Sequence, residues 1–175
     1  MRIKDIVIIG MLGALLISVQ VGLAFLPNIE LVSLLIVVYS TVLHKKTVYI
    51  IIVFIFLEGL FYGFGLWWIN YLYIWFLLYL VSMIFRKERS PFIWALISGV
   101  FGLSFGAFCA IPYFFIGSVN GSYVSGFQMA FAYWISGIPF DITHGIANFV
   151  IALILFKPLY TILNLLYKTE HNIIK

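Results

Sequence analysis

An all-α integral membrane protein with six transmembrane helices and both termini in the cytoplasm is the fold class this sequence predicts. Three observations predict it. Of the 175 residues, 65% are hydrophobic and only 9% are charged, where a soluble domain carries about a quarter charged residues. Charged and turn-forming residues cut the chain into six apolar segments. All ten Lys and Arg fall at positions that six crossings place on one side of the membrane. The chain has room for about six spans of roughly 20 residues and no soluble domain beside them. A single transmembrane domain over residues 1–175 is expected.

The first segment runs from Asp5 to Phe25 and stops at LPNIE. Its basic flank resembles a signal peptide, but its apolar run is longer than a typical h-region and no small-residue cleavage site follows, so it reads as a retained span. The second, Leu31 to Leu43, is short and ends at HKK; it is either tilted or begins in the loop before it. The third runs from Thr47 to about Phe61, and the fourth from Leu66 to Phe85, ending at RKER. The fifth opens at Pro91, a favourable first-turn residue, and runs to Ile116. GSVNGSYVSG, residues 117–126, reads as a loop. The sixth covers about Gln128 to Phe156, with Gly137 and Pro139 expected to kink or interrupt it.

The cations are Arg2, Lys4, Lys45, Lys46, Arg86, Lys87, Arg89, Lys157, Lys168 and Lys175; the loops after the first, third and fifth segments carry none. The positive-inside rule then places both termini in the cytoplasm. Asp5, Glu88 and Glu170 lie beside these cations and are expected to be solvated there. Glu30, Glu58 and Asp141 fall instead in or near the outer half of the membrane. A mid-membrane charge costs roughly 2.5–3.5 kcal/mol on insertion scales, so such residues face a cavity or a partner.

The stretch GIPFDITHGIANF sets Asp141, His144 and Asn148 on one helical face, at i, i+3 and i+7. Asn28, Glu30, Glu58, Tyr62, Trp67, Trp68, Asn70, Tyr71 and Trp134 join them as candidate substrate-binding residues of the outer half. Gln20 and Trp75 fall in the same half. Polar groups gathered with rings suggest a pocket open to the outside. Competing readings stand beside it: an aromatic belt for Trp67 and Trp68, and an interhelical hydrogen-bond network for Asp141, His144 and Asn148.

Several chemistries find little in the sequence. GLSFG, Gly102 to Gly106, matches G-x-S-x-G, but that motif works at a strand-to-helix turn. Ser98, Gly102 and Gly106, spaced by four, read as a small-residue packing face. His144 and Asn148 form H-x-x-x-N without the paired glutamates of an intramembrane metalloprotease, and a metal wants at least three ligands. The alternative enzyme is an intramembrane hydrolase using Ser104, or Glu58 with His144. The lone Cys109 makes no internal disulfide framework and reads as a small buried hydrophobe. No G-x-x-x-x-G-K-[ST] motif is present, so ATP is not bound through a P-loop. No metal or cofactor is called for, and nucleic acid is not an expected partner.

Six spans, both termini inside and the stretches GIPFDITHGIANF, LPNIELVSLL and EGLFYGFGLWW together resemble the substrate-binding S components of energy-coupling-factor (ECF) vitamin transporters. Gly10 and Ala14, four apart with Gly13 between, are similar to the small-x-x-x-small face by which S components meet their coupling subunit. The resemblance implies a bacterial cell membrane and three partners: a transmembrane coupling protein and two cytoplasmic ATPases. It also implies a toppling mechanism, with a water-soluble vitamin or precursor captured outside and released inside at the expense of ATP. Asp141, His144 and Asn148 then form one wall of the pocket. The rings favour a ring-bearing ligand and the acids disfavour an anion, leaving thiamin-, pyridoxine- and cobalamin-like molecules open.

Overall fold

The computed structural model describes residues 3–172, with side chains through residue 167. Arg2 and Lys175 lie outside the described residues, and Lys168 and Glu170 outside the described side chains. The described chain is helical throughout: α1 Ile3–Gly22, α2 Val32–Leu43, α3 Lys46–Tyr62, α4 Leu66–Ile84, α5 Pro91–Cys109, α6 Ile111–Asn120 and α7 Tyr123–Asn172. Four stretches are long and apolar enough to cross a membrane: α1, α4, Pro91–Asn120 and Tyr123–Tyr167.

Seven helices replace six segments, and the difference lies in the second half. The fifth segment divides at Ala110, where Pro112 in the first turn lets a second helix begin without a missing donor. The expected loop over 117–126 is mostly helical, since α6 runs to Asn120 and α7 starts at Tyr123. Small residues permit this hairpin: a Cβ on Gly117 would come within 2.8 Å of the Gly126 backbone, and Tyr113 stacks on Tyr133 at 4.1 Å. Pro139 does not interrupt the sixth segment, which extends as α7 in both directions. At about 1.5 Å per residue its 50 residues follow a contour of roughly 75 Å, against about 30 Å of bilayer hydrocarbon.

The short second segment is a core helix. All twelve residues of α2 are buried, and it touches α1, α3, α4, α5 and α7. A helix that is apolar all round belongs inside. Two of its hydroxyls are satisfied locally, Ser40 Oγ donating to the Ile36 carbonyl at 2.6 Å and Thr41 Oγ1 to that of Val38 at 2.9 Å. His44 ends it with a positive φ of 52°.

Helices α5 and α7 meet through glycine, as the spacing of Ser98, Gly102 and Gly106 predicts. A Cβ on Gly102 would lie 2.9 Å from the Cα and nitrogen of Gly145, which are backbone atoms and cannot swing aside. Ser98 is buried in the same interface.

Cations from separate loops gather at one end of the bundle. Lys46 pairs with Asp5 at 2.7 Å and lies 5.1 Å over the Tyr167 ring, while Arg89 lies 4.7 Å over the Tyr160 ring. Asp5 is therefore buried in an ion pair rather than solvated. Glu88 is half-buried, and its carboxylate accepts the Ser90 and Arg89 amides, both at 2.7 Å, which holds its pKa below the usual carboxylate value.

A side chain at Gly102 has no room. Gly102→Val is expected to lower the melting temperature in detergent by several degrees, from overpacking of about 1–3 kcal/mol. Gly137→Ala, where nothing lies within 4 Å of the added carbon, should leave it nearly unchanged. Equal melting curves for the two variants would contradict the packing.

Candidate functional site

At the end of the bundle away from the cations lies a cavity of about 310 Å³. One wall is the α1–α2 connection, with Leu23, Ala24, Leu26, Pro27, Asn28, Ile29 and Glu30 all facing it. Asn28 sits at φ 59°, a left-handed conformation Asn tolerates better than most residues, and so turns the chain toward α2. Gln20 of α1, Tyr62 of α3, Tyr71 and Trp75 of α4, Phe105 of α5 and His144 of α7 complete the lining.

The rings form a continuous arc. Trp67 joins Tyr62 to Tyr71, at 6.4 and 5.3 Å between centroids. Tyr71 meets Trp75 at 5.3 Å, Trp75 meets Phe105 at 5.9 Å, and Phe105 meets the His144 imidazole at 5.0 Å. Most of these contacts are edge-to-face or tilted, the arrangements that ring quadrupoles favour.

Glu30 is the polar junction. Its Oε2 accepts the Ser33 amide at 2.8 Å, capping α2 where helix N–H groups lack partners. Its Oε1 lies 3.2 Å from His144 Nε2. Two buried contacts continue along α7. Asn148 Nδ2 donates to Ser33 Oγ at 3.3 Å, and Asp141 Oδ1 accepts the Gly106 amide at 2.9 Å.

The face carrying Asp141, His144 and Asn148 therefore divides its work. His144 lines the cavity, together with Asn28, Glu30, Tyr62 and Tyr71 from the candidate set. Asp141 and Asn148 do not line it; they tie α7 to α5 and α2. His144 is hydrogen-bonded to Glu30. Glu58 is buried, at 1% exposure, outside the lining and with no partner for Oε1. Trp68 donates Nε1–H to the Ile55 carbonyl at 2.8 Å, and Asn70 accepts from the Tyr73 hydroxyl at 2.9 Å; neither lines the cavity. Trp67 belongs to the arc but does not line the cavity. Trp134, 38% exposed, lies on the first half of α7 and packs against Phe131.

Gln20 and Trp75 belong in the lining, although only their position in the outer half singled them out. Phe105 carries no sequence signal: it sits between residues read as a packing face, and phenylalanine is abundant throughout. Ser104 lies outside the lining, and His144 bonds Glu30 rather than Ser104 or Glu58. On α1, Gly10 and Ala14 are exposed. Gly13 is not part of that face: it turns inward, where an added Cβ would press on Val53 of α3.

No family model matches the chain, and no curated protein and no solved structure matches it.

The geometry separates anchoring from lining residues. Asp141→Ala, losing a buried charge-assisted hydrogen bond, is expected to cost about 1.5–3 kcal/mol of stability. Tyr62→Leu, at the half-open rim of the cavity, should leave the melting temperature within a degree or two. Thermal melts of both variants in the same detergent check the contrast, and a larger loss for Tyr62→Leu would reverse the assignment.

Proposed function

We propose that this chain is the substrate-binding S component of an ECF-type importer. It would capture a ring-bearing, neutral or cationic vitamin or precursor outside a bacterial cell for ATP-driven uptake by partner subunits. The cavity carries the reading: a loop, a ring arc and a buried acid–imidazole pair enclose about 310 Å³ at the end of the bundle opposite the cation cluster. By the positive-inside rule the cation end is cytoplasmic, so the cavity opens outward, where a captured nutrient arrives. Exposed Gly10 and Ala14 offer α1 as the face that meets a coupling subunit, because small residues let two helix backbones approach closely. With no P-loop in the sequence, ATP hydrolysis falls to two cytoplasmic partner ATPases. Toppling against the coupling protein would carry the cavity from the outer to the inner face.

Affinity capture from native membranes tests the assembly: the tagged chain should retain a membrane protein and ATPase subunits. Ala14→Leu should abolish that retention and uptake while ligand binding by the purified protein stays within twofold. Ala14→Leu that loses binding but keeps its partners would refute the assignment of α1.

The orientation is tested by labelling intact cells with an impermeant thiol reagent. Ser122→Cys, in the exposed turn between α6 and α7, should react. Arg86→Cys, in the exposed α4–α5 loop, should react only after lysis. The opposite pattern would invert the topology.

A further inference from the structure

The residues that line the cavity specify its occupant, given the reading of it as a ligand site. No Lys or Arg lines it. Glu30 lines it as an acid, held by His144 on one oxygen and by the Ser33 amide on the other. Each carboxylate oxygen has two lone pairs, so Glu30 can accept a further hydrogen bond at either oxygen without giving up a present one. A second acid, Glu58, lies buried one helical turn before Tyr62 and pairs with no cation among the described residues. Tyr62, Tyr71, Trp75 and Phe105 add four rings to the wall.

We propose that the cavity selects an organic cation built on one or two flat rings, with Glu30 as its counter-charge and the Tyr71–Trp75–Phe105 arc as its aromatic wall. Ring quadrupoles attract cations, and the attraction strengthens as water is excluded. An anionic ligand would enter a ring-lined space beside one acid, with a second close behind, and find no fixed cation to replace its lost hydration. Size narrows the class further. A volume of about 310 Å³ lies at the small end of ligand pockets. It holds a molecule of one or two rings, and a corrinoid macrocycle is far too large for it. Within the thiamin-, pyridoxine- and cobalamin-like set, the chemistry therefore favours the small cationic member.

A charge series on one ring isolates the proposal. The purified full chain in detergent is titrated with 1-methylnicotinamide, nicotinamide and nicotinate, which carry positive, zero and negative charge. Tryptophan fluorescence quenching and thermal shift are the readouts. The cation should bind at least tenfold more tightly than nicotinamide, and nicotinate should produce no shift. Glu30→Gln should remove the cation's advantage, lowering the ratio of 1-methylnicotinamide to nicotinamide affinity by roughly tenfold to hundredfold. Equal or tighter binding of nicotinate overturns the proposal, as does a saturable response to none of the three. The series needs only the unmodified protein, so poor folding of Glu30→Gln leaves it decisive. Mass spectrometry of small molecules released on denaturation separates the two levels of argument. A released anion or corrinoid would overturn the cation assignment and leave the importer reading standing. Failure to capture coupling subunits would remove that reading and leave the measured charge preference intact.

Discussion

Two helix backbones touch at Gly102 and Gly145, and the rest of the site depends on that contact. Lipid tails are as apolar as leucine side chains, so helices in a bilayer gain little from hydrophobic burial against each other and associate through packing and polar contacts. At α5 and α7 the packing is of backbone on backbone, with a Cβ on Gly102 falling 2.9 Å from Gly145 Cα. Consequences follow in both directions along α7. One turn toward its start, Asp141 comes against the Gly106 amide at 2.9 Å. Next to Gly145, the His144 ring meets Phe105 at 5.0 Å. A wider separation would leave the Asp141 carboxylate buried with its acceptors unused, at a cost comparable to a lost charge-assisted hydrogen bond.

The second requirement is the short buried helix α2. It is too short to cross a bilayer, and its amino terminus must end inside the protein with unpaired N–H groups. Glu30 resolves this by accepting the Ser33 amide, and Ser33 Oγ then receives the Asn148 side chain. The same carboxylate holds His144. One acidic residue thus caps the core helix, fixes the loop that walls the cavity and joins that loop to α7. Its position at the cavity edge, with spare lone pairs, leaves this structural cap free for the second use proposed above, as a counter-charge to a bound cation.

Much of this was legible in the sequence, and what was not has a common cause. Charges are rare and expensive in a membrane, so Glu30, Asp141, His144 and Asn148 stood out, and so did the end of the molecule to which they belong. The glycine spacing around Gly102 likewise announced a packing face. Apolar residues carried far less information, because a helix face toward lipid and a face toward the core have the same composition. That is why Phe105 as a lining residue, the inward turn of Gly13 and the central burial of α2 went unread. The hairpin of α6 and α7 was hidden by its own turn residues. Gly117, Gly121, Ser125 and Gly126 look like a loop, yet here they let two helices approach. Asp5 was misplaced for another reason: its partner Lys46 is 41 residues away, and no local pattern encodes such a pairing.

The distribution of charge follows one rule at both ends of the bundle, with opposite results. At the cation end two positive groups have answers inside the protein, the Asp5 carboxylate for Lys46 and the Tyr160 ring for Arg89. At the cavity end the answers are missing. Glu30 has an imidazole partner but no Lys or Arg, Glu58 has no ion-pair partner among the described residues, and the surrounding rings offer attraction to positive charge without supplying any. A buried group left incompletely satisfied lowers stability, so a protein stabilised only by its internal contacts would gain from filling or neutralising this end. On the proposed reading, a positive group that arrives from outside, binds and leaves again supplies the partner these carboxylates lack.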